Sequence, residues 1–190
     1  MASEAILQAA TEAFAEVGFS GTSTRDIATR AGMSPAALYA HFRSKEEVLH
    51  QISALGTRRV LDGVLAASAA RVTAPERLGA VAHELTLWHA TSCVRARVVN
   101  YELAHLTPEH LAEVRALRRQ IHEVVRSIVE AGTRTGELQT QDASLTATAV
   151  VSMCVDVARW FRPDGAWSAE QVAEHHQEMA LRMAGAQPGD

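Results

Sequence analysis

Nine histidines, 22 carboxylates and two cysteines could serve an enzyme or a metal centre only at particular spacings, and those spacings are missing. His105, Glu109 and His110, and the pair His175-His176, form no H-E-x-x-H. There is no G-x-S-x-G, no phosphate-binding glycine loop and no Cys–His cluster, so catalysis, a bound metal and a cofactor are all unexpected. Cys93 and Cys154 lie far apart and read as two reduced thiols. The cations do form a pattern. Arg25, Arg30, Arg43 and Lys45 stand against Asp26 alone between Ser20 and Lys45, a net charge of +3 within a chain whose total is -4. The total argues against indiscriminate attraction to polyanions, but the local island favours it. Thr24, Ser34, Tyr39 and His41 fall inside this island, adding hydroxyl and imidazole donors to the charged ones. Such a set can grip phosphate oxygens and base edges.

The elements that must position these groups are helices. At 190 residues and 47% hydrophobic, the chain can bury a full core. With only 5 prolines and 11 glycines, it favours helix almost throughout, so an all-α protein is expected. Capping chemistry places the helix starts. Ser44 with Glu47, Thr73 with Glu76 and Ser168 with Gln171 fit capping boxes, Ser34-Pro35 and Thr107-Pro108 put proline in the first turn, and Thr24 and Asp142 supply two further caps. The spacing predicts a first helix from Ser3 to Val17 with Ile6, Leu7, Ala10, Phe14 and Val17 on one face, stopped by Gly18. Two short helices follow, from Thr24 to Ala31 and from Pro35 to Phe42, with Gly32 turning the chain between them. A long helix from Ser44 to about Ala70 is expected to pack Val48, Leu49, Ile52 and Leu55 back on the first three. Five more are expected, from Pro75, Val94, Pro108, Ala143 and Ala169. No charged start leads into an apolar run, and the most apolar stretch, 147–158, falls short of the roughly 20 residues that a membrane span needs. A cytoplasmic protein is expected.

From Ile6 to Leu49 the residues resemble the TetR-type one-component repressors. The resemblance rests on Ile6-Leu7 with Ala10 and Phe14, Gly18-Phe19 before Thr22-Ser23-Thr24, Asp26-Ile27-Ala28 and Ala31-Gly32-Met33-Ser34. It continues through Leu38-Tyr39, His41-Phe42 and Ser44-Lys45-Glu46-Glu47. It implies a three-helix helix-turn-helix DNA-binding domain over 1–47 and a larger helical effector-binding and dimerisation domain over 48–186, with 187–190 as a disordered tail. Thr24, Arg25, Ser34, Pro35, Ala36, Ala37, Tyr39, His41 and Lys45 are then the expected contacts with double-stranded operator DNA. Tyr39, His41 and Lys45 suit the backbone, Arg25 either backbone or base edge, and Thr24 is chiefly a cap. Tyr39 as core packing and Lys45 as a solvated charge are the structural alternatives. Pro35-Ala36-Ala37 and Ala40 depart from the commoner family pattern of lysine, glycine and a hydroxyl residue. Alanines would read sequence by thymine methyl contact or by close approach of the helix.

Further on, Ala158-Arg159-Trp160-Phe161-Arg162-Pro163-Asp164-Gly165 resembles the end of acyl-CoA-responsive members of the family. That resemblance implies a small-molecule effector of acyl-CoA type, with Arg159 and Arg162 as cations for its phosphates. Pairing of those arginines with Asp156, Asp164 or Glu170 is the structural alternative. The middle helices add pocket candidates, Trp88, Asn100, Tyr101 and His105 foremost, with Trp160 from the later motif and His89, Arg95, Arg97 and Glu102 nearby. The family resemblance also implies that the last two helices form a homodimer interface, and their stripes suit it: Met153, Val157 and Phe161 on one, Val172, His176, Met179 and Met183 on the other. A ligand-independent helical DNA-binding or interaction module is the alternative function, with an enzyme well behind it.

Overall fold

The computed structural model describes residues 2–186, so the tail expected to be disordered lies outside the described residues. Among the described residues there are nine α-helices, one 3-10 turn and no strand, as the composition predicts. They are α1 (Ala2–Gly21), α2 (Thr24–Arg30), α3 (Pro35–Tyr39), α4 (Lys45–Ala69), α5 (Ala74–Thr91), α6 (Cys93–Tyr101), the turn Leu103–His105, α7 (Pro108–Thr135), α8 (Ala143–Trp160) and α9 (Ala169–Met183). The helix expected from Val94 is short, ending at Tyr101, because the chain then tightens into the 3-10 turn. The caps at Ser34, Thr73, Asp142 and Ser168 accept from backbone N–H groups as expected. Ser44 accepts from Glu47 N at 3.1 Å, but the Glu47 carboxylate accepts from Arg43 N at 2.6 Å instead of completing the box.

Packing divides the chain into two units. The first comprises the chain up to Arg58 together with Val94–Leu117. Its core joins Ile6, Ala10 and Phe14 to Ile27, Ala28, Leu38 and Phe42, and these to Val48, Leu49 and Ile52 of α4 and Val98, Val99, Leu106 and Val114. Burying each large apolar side chain stabilises by about 1.5–3 kcal/mol relative to exposure, so α4 and α6 are integral to this unit's stability. Val17 and Leu55, expected in the core, are instead 62% and 52% exposed. Gly18, at φ 77 and ψ 167, breaks the helical path immediately after Val17. On α4 the buried face passes through Ser53, Ala54 and Thr57 instead of Leu55.

The second unit takes in Arg59–Cys93 and the chain from Arg118 onward. Here α5 packs mainly on α9 and then on α8. Ala90, Cys93, Val157, Phe161 and Val172 form one buried cluster of this unit, with Ala169 against it. Both cysteines are free and buried, and burial pushes the Cys154 thiol up to about 11. It remains a protonated apolar side chain, unsuited to redox or nucleophilic chemistry. Among the described residues, no helix is long and apolar enough to cross a membrane.

Candidate nucleic-acid interface

The basic island folds as helix, turn, helix. Ser23, not Thr24, caps α2: its hydroxyl accepts from Asp26 N while the Asp26 carboxylate accepts from Ser23 N at 2.8 Å. The capping bonds hold that carboxylate below its usual range. At the other end of α2, the Arg30 guanidinium forks onto Glu16 of α1 at 2.7 and 2.6 Å. Gly32, at φ 68, turns the chain through a conformation that L side chains rarely adopt. Ser34 then caps α3, accepting from Ala37 N at 3.2 Å, and Pro35 occupies its first turn.

Leu38 is the anchor of α3 and is fully buried. Around it Ser34, Pro35, Ala36, Ala37, Ala40 and His41 are all exposed, and Tyr39 is 52% exposed, so Tyr39 is no core residue. One helix face is therefore fixed by the core while the other presents methyls, a phenol and an imidazole to solvent. Because Ser23 does the capping, the Thr24 hydroxyl is available to pair with Tyr39 Oη at 3.1 Å. Arg25, next along α2, is exposed. Lys45 is more constrained than a solvated charge. Its ammonium donates to the carbonyls of Phe19 and Thr22 at 2.6 Å each and lies 4.2 Å from the Phe19 ring centroid. Two of its three N–H donors are thus used, leaving one for an external acceptor. The Phe19–Thr22 segment that it ties down leads directly into α2.

The other expected residues are less unified. Asn100, Tyr101 and His105 belong to the first unit, while Trp88, Arg159, Trp160 and Arg162 belong to the second. His105 stacks on Phe19, with 4.7 Å between centroids and 17° between planes, which places it against the DNA-reading head. Tyr101 is exposed. The Arg159 guanidinium forks onto Asp156 at 2.8 Å through both contacts, the structural alternative foreseen for it. Arg162 lies against the Phe161 carbonyl at 3.1 Å. Trp88 meets His89 edge-on at 4.9 Å. His89, buried within the second unit, bonds through Nδ1 to the Leu85 carbonyl at 2.7 Å. A carbonyl only accepts, so Nδ1 carries the proton, and burial lowers the imidazole's pKa to about 4.

The interface stripes divide by exposure. Val157, Phe161, Val172 and His176 are buried by their own chain, and the first three cluster with Ala90 of α5. His176 Nδ1 lies 3.3 Å from the Thr86 hydroxyl of α5. Met153 and Met179 are half-buried and Met183 is exposed, alongside exposed Leu145 and Trp160.

A core-anchored α2, a glycine turn and an α3 with an exposed outer face, flanked by Thr24, Arg25, Tyr39 and Lys45, define a helix-turn-helix DNA-binding regulator. Residues 6–52 match the family of bacterial regulatory proteins named for tetR, and residues 71–184 match the tetracyclin repressor-like C-terminal domain. The chain belongs to the TetR family of transcriptional regulators, and not to a family of enzymes. It is 38% identical to a TetR-family regulatory protein from Rhodococcus RHA1 of known structure, with TM-score 0.94 and 99% of each chain covered. It is 28% identical to the HTH-type transcriptional repressor KstR2 of Rhodococcus jostii (strain RHA1), over 93% of this chain and 87% of that one. The crystal structure of AibR in complex with isovaleryl coenzyme A and operator DNA superposes with TM-score 0.87 at 25% identity, covering 98% of this chain and 100% of AibR.

Proposed function

We propose that this protein is a cytoplasmic, homodimeric transcriptional repressor that binds an operator through the α2–α3 surface and leaves it when an acyl-CoA thioester binds. The observation carrying the effector class is the likeness to AibR over nearly the whole chain, since AibR was crystallised with both isovaleryl coenzyme A and operator DNA. The likeness to the repressor KstR2 supports repression as the output. On the DNA side, Thr24, Tyr39, His41 and Lys45 serve phosphates, while Arg25 and the exposed Ser34–Ala37 edge of α3 approach bases. Dimerisation uses the outward residues of α8 and α9, Met153, Met179 and Met183, and a two-fold dimer would present two reading heads to a palindromic site.

An effector releases DNA only if it binds more tightly to the conformation that fits DNA poorly. Trp88, Trp160 and Arg162, all of the second unit, are the candidate effector contacts, with the Asp156-paired Arg159 the weakest of the set. The test uses duplexes that the protein selects from a random-sequence pool. Titrating isovaleryl-CoA and longer acyl-CoA thioesters into the protein–duplex complex should release the DNA, while free coenzyme A should not. Retention of the complex at well above micromolar concentrations of every thioester would overturn the effector class and leave DNA recognition standing.

A further inference from the structure

Within the first unit, the connection from α6 to α7 meets the DNA-reading head at two places, Phe19, which carries the Lys45 ammonium, and Glu46. His105 stacks on Phe19, whose ring lies under the Lys45 ammonium and whose carbonyl accepts from it at 2.6 Å. His105 Nε2 also lies 3.4 Å from Glu102 Oε2, within the same short turn. One residue beyond Lys45, the Glu46 carboxylate accepts from Thr107 N at 2.9 Å and meets His110 Nδ1 at 2.8 and 3.0 Å. His110 lies face to face with His50 at 3.8 Å and 2°, and His50 Nε2 reaches Glu113 at 2.9 Å. Parallel rings cannot aim their in-plane lone pairs at one ion, and no group of three or more His, Cys, Asp or Glu among the described residues could hold a metal. The cluster fastens helices together.

We propose that His105 is a positioning residue for operator binding: its stack holds Phe19, and Phe19 in turn aims the Lys45 ammonium, while Thr107 and His110 hold the adjacent Glu46. The proposal rests on the reading of Lys45 as a phosphate contact. A lysine held in one rotamer before DNA arrives loses less entropy on binding than a free one. Fixing the Phe19 ring and carbonyl supplies that restraint without any contact between His105 and DNA. The α6–α7 turn lies outside the helix-turn-helix in sequence, so its contribution is absent from the local motif.

The experiment measures affinity of the full chain for a duplex selected from a random pool, as a function of salt. His105→Ala should bind about three- to tenfold more weakly, the range of an aromatic pairing. Its salt slope should become shallower toward that of Lys45→Ala, because a mispositioned ammonium displaces fewer counterions. His105→Phe, which keeps a stacking ring, should restore both. The double variant His105→Ala/Lys45→Ala should match Lys45→Ala alone, because the two residues act as one unit. Unchanged slope in His105→Ala, equal impairment of His105→Phe, or full additivity in the double variant would each overturn the assignment. If Lys45→Ala itself leaves the slope unchanged, the underlying phosphate contact fails, and the positioning role fails with it.

Discussion

The Thr24 hydroxyl and the Tyr39 phenol lie 3.1 Å apart, joining the first residue of α2 to the last residue of α3 across fifteen positions of sequence. Either oxygen can donate to the other, so the pair retains a hydrogen for an external acceptor. Tyr39→Phe removes the phenol's own bond to a phosphate and breaks the pair without removing the ring. A hydrogen bond to a charged group contributes about 1.5–3 kcal/mol, so affinity should fall roughly tenfold or more. The fall should be similar for selected and scrambled duplexes, as fluorescence anisotropy would show. A loss confined to the selected duplex would make Tyr39 a base reader instead.

Base discrimination should lie in Arg25 and the small edge of α3. Ala36→Leu adds bulk to an exposed helix face and leaves buried Leu38 in place, so the fold should persist. Each disturbed base contact is worth about 1–3 kcal/mol. Sequences reselected from a random pool by Ala36→Leu and by Arg25→Ala should therefore differ from the wild-type choice at a few positions. Identical selections would remove both residues from direct readout.

The helix-turn-helix was legible because its signals are local. Caps, Gly32 and the spacing of Ile27, Ala28 and Leu38 depend on near neighbours, and the structure places them accordingly. The contacts of Lys45 and His105 were less legible, because Lys45 reaches back to Phe19 and Thr22 and His105 reaches the same phenylalanine. Those pairings span long sequence separations and leave no periodic trace. The stripes on α8 and α9 were legible as apolar faces, but periodicity does not say what covers each position. Val157 and Val172 face their own core.

The outward residues of those helices carry the assembly prediction. Met153 and Met179 are only half-buried by their own chain. An aspartate at either should leave the protomer folded and place an unpaired charge in the subunit contact. An uncompensated buried charge costs about 3 kcal/mol or more, so the dimer should weaken by about a hundredfold or more. Light scattering at micromolar concentration should show monomers, and operator affinity should fall in parallel. A normal dimer in both variants would move the interface elsewhere.

His89 makes stability depend on pH. Burial lowers its folded-state pKa from 6.5 to about 4. Well above pH 6.5 the ring is neutral in both states and contributes no slope. Between that value and about 4 the unfolded chain takes a proton that the folded chain refuses, so stability falls as pH falls. The limit is roughly 3 kcal/mol. Burial shifts His176 in the same direction. His89→Gln has no titrating ring and should show a flatter decline in urea midpoint over this window. Parallel curves for the two proteins would contradict the assignment.

The central claim, sequence-selective DNA recognition by the surface running from Thr24 to Lys45, is tested most directly by comparing affinities for a selected duplex and its scrambled counterpart at one near-physiological salt concentration. Specific regulators prefer their sites by roughly a thousandfold or more, and the wild-type chain should show such a ratio. Lys45→Ala should weaken both complexes and keep most of the ratio. Equal wild-type affinity for the two duplexes, or no binding to either, would contradict the account.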